Sequence, residues 1–488
     1  MFNSSFLADQ RVKSLIKFNE KYAFVMVIIF SLIPALALVS PQSFGPLFTG
    51  IAQIEIFSFI FLGIFQFISY ATFSSNKYSF GDRMKFCALK MWDSCMKNKT
   101  GFLFLIVYVI SIISALCAED TQRSFYGTEF RPDGIRMYTC FMIVFIYSLL
   151  IKDKTMKKRV ILVNVLCFIP VSLVMYQQYF GIIGTAVERS HGEFGTSLMA
   201  FYDRHGLRVG HFYKGLTGSF YNLNHLGYYI TVCTMLVSTM AVKAEKLMPK
   251  ILWSAYSVYC FFIIIMNDTF GCYLAIFAAL VAILVIVLIK LKEKTAKVCI
   301  NAALPLILFI CVNIVFFIAC PDDNPITKNF RTLGKDVKTI ATTENIEEEH
   351  AGSGRLEMWL ATVDMIKERP ILGYGPDNLK AHYVERDVTL DRAHNEPLER
   401  AVATGVPSAL IYYAAIILAI IVYFRSKKWY DTTYFASFIT VVGYLVSSLF
   451  GVQLFYTGGF FFIFLAFAIS PDATTYIPEP KEKLAKKR

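Results

Sequence analysis

The sequence predicts an all-α polytopic membrane protein: a bundle of about twelve transmembrane helices, with a large extracytoplasmic cap between the ninth and the tenth. Three observations lead there. The 488-residue chain is 56% hydrophobic and 17% charged, with 45 Phe and 27 Tyr, whereas a soluble domain has about 45–50% apolar and about 25% charged residues. Charge-free apolar runs recur along it, many near the roughly 20 residues that a helix rising 1.5 Å per residue needs to cross the hydrocarbon core. Finally, Lys and Arg gather in alternate connections.

In chain order, the expected spans are 22–40, 51–73, 102–118, 137–151, 160–180, 226–242, 251–266, 271–289, 299–319, 401–424, 432–448 and 451–469. Arg11, Lys13, Lys17 and Lys21 precede the first span in the manner of a secretory signal, but no small-residue cleavage site follows, so this span is expected to stay. Residues 1–21 then form an inner N-terminus, and 470–488, ending KEKLAKKR, a basic tail. One set of alternate segments holds 30 of the 48 Lys and Arg; of the other 18, 11 lie in the single stretch 320–400, where length weakens their vote. Both termini are therefore expected in the cytoplasm, and the long stretch outside.

The net charge of +12 reads as this topology signal plus attraction to anionic headgroups, and not as a nucleic-acid footprint, for which basic residues cluster on a soluble face. Eleven cysteines without a CxxC pair, none between 321 and 400, exclude a disulfide framework and a zinc ribbon. No internal repeat accompanies the insertion between spans nine and ten, whereas transporters commonly show matched halves.

Two outward segments hold most of the polarity, 181–225 and 320–400. The first contains HGEFGTSLMAFYDRHGLRVGHFYKGLTGSFYNLNHLGYYI, rich in Gly, His, Tyr and Asn. The second opens on a polar run and changes character at Ser353. From there Leu356, Trp359, Leu360, Val363 and Ile366 recur at helical spacing, Ser353 offers a cap and Pro370 a stop, predicting an amphipathic helix over 354–368. GYGPDN at 373–378 supplies a turn and KAHYVERD a further helical turn. That GxG follows no strand, so it is not a dinucleotide site. The acidic run Glu347, Glu348, Glu349 with His350 reads as a solvated charge patch.

Within DRAHNEPLERAVATGVPS at 391–408, His394 is the sharpest candidate for chemistry. An imidazole titrates near neutrality and can take a proton from a hydroxyl, and Asn395 beside it can orient a sugar hydroxyl. The alternative is that the pair caps a helix. Arg355, Arg392, Arg208 and Lys214 are candidates for an anionic group, since guanidinium offers a donor fork to a diphosphate. Each is equally an interfacial anchor, and Arg204 shares the ambiguity. Trp359 reads as a packing or interface anchor.

Together these stretches resemble the bacterial O-antigen ligase and polymerase family. His394 and Asn395, nine residues and then Gly405 are similar to its histidine motif, with Ser408 where Gly, Thr or Tyr is usual. RLEMWLATVDMIKERPILGYG resembles its Arg, Trp and Pro-Leu-x-Gly-x-Gly stretch through Arg355, Trp359, Pro370, Gly373 and Gly375. GSFYNLNHLGYY, with Gly218, Phe220, Asn222 and Asn224, resembles its Gly-Thr-Phe-x-Asn-Pro-Asn element, Leu223 replacing Pro, and RPDGIRMY, with Arg131 and Gly134, the element before the fourth span. The family's Ser-Arg-Gly element has only Thr269, Phe270 and Gly271 opposite it, without the arginine.

The resemblance implies metal-independent glycan transfer, without cofactor, from a polyprenyl-diphosphate carrier to a hydroxyl of a glycan or lipid acceptor at the outer membrane face. His394 would be base and Arg355 the leading diphosphate contact, both catalytic; Asn395, Arg392, Asn222, Asn224, Arg208, Lys214 and Arg131 would bind substrate. The competing class is a flippase or transporter for lipid-linked oligosaccharide, which calls for charged residues deep in several helices; the predicted spans hold almost none.

Overall fold

A computed structural model describes residues 10–40, 44–71, 98–128, 131–179, 217–220, 222–290, 296–319, 331, 355–388, 391–426 and 431–470. Every long regular element among them is a helix. Helices α1 (Gln10–Ser31) and α2 (Ile33–Val39) form a pair bent by 49° where Pro34 enters the first turn of α2; proline has no N–H to give the preceding turn. There follow α3 (Phe44–Ala71), α4 (Lys99–Leu116), the short α5 (Thr121–Tyr126), α6 (Ile135–Leu150), α7 (Lys154–Tyr179), α8 (Leu223–Lys243), α9 (Leu247–Asn267), α10 (Phe270–Lys290) and α11 (Ala296–Ala319). Beyond them lie α12 (Arg355–Glu368), α13 (Leu379–Val384), α14 (Glu396–Thr404), α15 (Val406–Arg425), α16 (Thr432–Ser448) and α17 (Gly458–Ile469).

Among the described residues, eight helices (α3, α4, α7 to α11 and α15) are long and apolar enough to cross a membrane, nine with the bent pair; α6, α16 and α17 are shorter apolar helices lying over three of the remaining expected spans. The bundle is organised around α8, whose residues Leu226–Thr239 are buried on every side against α9, α16 and α10. A helix apolar all round belongs inside. At the periphery, α11 turns Ile314, Val315, Phe317 and Ile318 outward, the inverse pattern expected of a surface in contact with lipid.

Two expected spans change shape. The one at 401–424 is broken at Gly405 into α14 and α15. The last, expected from 451, becomes helical only at Gly458. Residues Gly451–Thr457 are buried but not helical. The 12 residues of α17 extend about 18 Å, short of a hydrocarbon core about 30 Å thick, so this stretch continues the path. Irregular backbone at such depth requires cover by protein, and it is covered: Asp133 accepts the Phe455 N–H at 3.1 Å.

The expected amphipathic helix appears over Arg355–Glu368, rotated from the expected face. Met358 and Met365 are fully buried, whereas Leu360 and Val363 are exposed. The reason is a small separate core in which the two methionines meet Tyr374, Leu379, Tyr383, Val388 and Val402, with Thr362 Oγ1 and the Tyr383 hydroxyl 2.7 Å apart. Ser353 and the 347–350 acidic run lie outside the described residues. Among the described residues, Glu55 and Lys157 are charged side chains buried in the bundle, Lys157 in the first turn of α7. Glu55 on α3 is wholly buried with neither carboxylate oxygen partnered among the described residues, and Lys157 on α7 donates to the Tyr434 and Ser470 hydroxyls at 3.1 and 2.5 Å.

Candidate active site

The turn carrying His394 is built by its neighbours. Asn395, in extended conformation, caps α14, its side-chain oxygen accepting the Leu398 N–H at 3.1 Å, and its amide donates to the Leu449 carbonyl at 3.1 Å. The capping alternative thus holds for Asn395. His394 itself has φ +44°, a left-handed conformation that few residues with a Cβ adopt. The peptide before it is held at both ends: Trp359 Nε1 donates to the Ala393 carbonyl at 2.9 Å, and Glu399 accepts the Ala393 N–H at 2.8 Å.

The glycine stretch upstream docks on the far end of α14. Tyr374 and Gly375 donate their N–H groups to the carbonyls of Val402 and Ala403 at 3.0 and 2.9 Å, and Val406 donates to the Pro370 carbonyl at 2.8 Å. A helix end leaves such carbonyls without intrahelical partners, and GYG satisfies them. Gly405 has φ +86°, and a Cβ there would run into the Ile371 carbonyl. The glycines of the resemblance therefore serve backbone-to-backbone packing that fixes α12 against α14.

Behind the turn lies a charged hub. Arg392 is buried and reaches Asp133 at 2.8 Å and Asp377 at 2.7 Å, with Glu399 at 3.9 Å. Arg131 pairs with Asp391 at 2.5 Å, and Arg123 with Asp377 at 3.3 Å. This network ties the segment before α6, the loop after α12 and the His394 turn into one unit. Burial raises the Asp133 carboxyl against the pull of Arg392, and burial likewise lifts Glu399 to about 7. Burial would also raise Asp391, but Arg131 and Arg392 outweigh it and hold that carboxyl below its usual range. For Arg392 burial opposes the charge and the surrounding carboxylates more than restore it. A second buried pair, Glu396–Arg400 at 3.0 Å, places the Arg400 guanidinium 3.5 Å from the Tyr412 ring centre and in contact with Gln453.

The remaining wall is the start of α8. Asn222 caps it, accepting the Asn224 N–H at 2.7 Å. Asn267 and Thr269, from the turn opposite the family's arginine element, both approach the Leu223 carbonyl at 3.3 Å. His225 stacks on Tyr456 with ring centres 4.5 Å apart and lies within electrostatic reach of Arg131, Arg392, His394 and Asp391.

The structure thus gathers His394, Asn395, Arg392, Arg131, Asn222 and Asn224 in one region. Arg355 opens α12, but its side chain, like Arg208 and Lys214 entirely, lies outside the described residues. Sequence reasoning passed over His225, Asp133, Asp377, Glu399 and the 449–457 loop. His225 had a signal, an Asn–His step at a helix mouth echoing His394–Asn395. The carboxylates had none, since Asp133 and Arg392 are 259 positions apart. Among the described residues no group of three or more His, Cys, Asp or Glu is placed to hold a metal ion. Residues 255–413 match a family model described as O-antigen ligase. No curated protein matches the chain.

Proposed function

We propose that this protein moves a glycan from a polyprenyl-diphosphate carrier to an acceptor hydroxyl at the outer face of a bacterial cytoplasmic membrane, with both termini inside; the match of residues 255–413 to a family model described as O-antigen ligase supports glycan transfer of this general type. The observation that carries the reading is the His394 turn, held in a left-handed conformation by Trp359, Glu399 and Asn395, since strained backbone persists where surroundings over-determine it and concentrates at functional sites.

In the proposed reaction His394 takes the proton of the acceptor hydroxyl, whose oxygen bonds to the anomeric carbon of the donor glycan. The bond from that carbon to phosphate breaks, and its electron pair leaves with the lipid diphosphate. Positioned proton transfer is worth about 10²–10⁴-fold, and cations at the departing charge contribute by preorganisation. Arg355 is the proposed leading diphosphate contact, with Arg208 and Lys214 beside it. Arg392 and Arg131 already serve Asp133, Asp377 and Asp391, so their contribution is to hold the site's shape. Asn224, Asn222 and Asn395 are proposed sugar or diphosphate contacts, the latter two through the helix mouths they cap. No metal or cofactor is assigned to the step.

Polymerase and ligase share this donor and this chemistry. The surface glycan of a deletion strain separates them: single units still attached but long chains lost means polymerase, whereas polymer accumulating on the lipid carrier means ligase. Unaltered glycan and carrier pools would contradict the proposal.

A further inference from the structure

We infer that His225 is a second imidazole of the transfer site, one that binds a hydroxyl of the carrier-linked glycan through its ring nitrogen Nδ1; this rests on the transfer function proposed above. The first support is an unsatisfied group. His225 Nδ1 is shielded from solvent and has no hydrogen-bond partner among the described residues, a costly state for a polar atom in a folded protein that a ligand hydroxyl would relieve. The second is that the ring is fixed. It lies on Tyr456 with an interplanar angle of 29°, and Tyr456 is itself packed against Phe44 at 4.8 Å and Phe455 at 3.8 Å between ring centres. The backbone below is held by the Asn222 cap and by Asn267 and Thr269 at the Leu223 carbonyl.

The third is location, with Arg131, Arg392, Asp391 and His394 as the charged groups in electrostatic reach. The ring is therefore a neighbour of the His394 turn, reached from the mouth of a different element, α8. A neutral imidazole presents one donor and one acceptor, as a sugar hydroxyl does, and an aromatic neighbour of the Tyr456 kind suits the apolar face of a sugar ring. The nearby Arg131 and Arg392 are engaged by carboxylates, so the chemistry that His225 itself offers is hydroxyl recognition.

The test measures binding of two ligands to the full-length protein in detergent: glycosylated polyprenyl diphosphate and bare polyprenyl diphosphate. His225→Phe keeps a ring on Tyr456 and removes both nitrogens; His225→Gln keeps a donor and an acceptor. The expected result is that His225→Phe weakens binding of the glycosylated carrier roughly tenfold, the value of one hydrogen bond, leaves the bare carrier unchanged, and that His225→Gln recovers part of the loss. Equal weakening for both carriers would assign the residue to the diphosphate and overturn the inference, as would no weakening of either. If His225→Phe lowers the unfolding temperature, the His225→Gln variant alone decides: it must separate the two carriers or the inference falls. Failure of the parent protein to bind glycosylated carrier at all overturns the transfer function itself, a distinguishable outcome.

Discussion

Arg392 and His225 share one electrostatic neighbourhood but differ in kind: the charge of Arg392 is compensated by carboxylates although its Nε has no partner among the described residues, whereas His225 is a ring held by stacking. Arg392 has carboxylates at 2.7 and 2.8 Å and a third at 3.9 Å, and its neighbour Arg131 is likewise paired. His225 has a buried nitrogen with no partner among the described residues. The difference teaches that charge in this region serves two purposes. The guanidinium hub fastens the loop after α12 and the turn before α14 to the segment before α6, while imidazoles lie on two separate elements, the α8 mouth and the turn before α14.

The sharpest way to break that contrast is to remove the hub. Arg392→Met leaves Asp133 and Asp377 buried without their shared partner, and losing one member of a buried ion pair costs about 3–5 kcal/mol. Thermal unfolding in detergent is expected to show a large loss of stability together with loss of transfer, whereas a variant that stays folded but binds donor less tightly would return Arg392 to the role of substrate contact. A smaller effect is expected where the turn is held and not built. Trp359→Phe removes the indole donor to the Ala393 carbonyl, costing about 1 kcal/mol; slackened placement of His394 should slow turnover about tenfold with carrier affinity unchanged. Equal changes in both would mean the tryptophan touches substrate.

The smallest effect sharpens the charge assignments. Burial lifts the Glu399 carboxyl to about 7, with Arg392, Asp391 and Asp377 facing it. Since the folded state holds this proton more tightly than the unfolded chain, the contribution is present below the ordinary carboxylate range and is lost as pH rises through about 7. Relative to Glu399→Gln, the parent should therefore lose stability between roughly pH 4.5 and 7. Parallel melting curves across that window would show instead that Glu399 is ionised throughout.

Much of the scaffold was legible because hydropathy reports environment directly: α4, α8 and α10 lie where charge-free runs lie. What hydropathy does not report is whether a buried apolar stretch is helical. Residues 449–457 are apolar apart from Gln453 and its Tyr456–Thr457 end, and Gly451 and the Gly458–Gly459 pair hinted at the break. The face of α12 shifted because Met358 and Met365 carry less obvious apolar weight than Leu360 and Val363, yet fit the irregular core under the cap, as a flexible thioether does. At the site, the His394 motif and the Asn222–Asn224 element stood out through local spacing. The hub did not, because pairing across the fold leaves no trace in local sequence, and neither did Glu55, a single charge inside an otherwise apolar run, or Lys157, one of several basic residues at 152–159.

The measurement that tests the central claim most directly is transfer by purified His394→Ala protein supplied with lipid-linked glycan and acceptor in membranes. Abolished or at least 100-fold slower turnover, with carrier still bound and the unfolding temperature unchanged, is the expected result. Parental turnover from a normally folded His394→Ala protein would contradict it and remove His394 as the base.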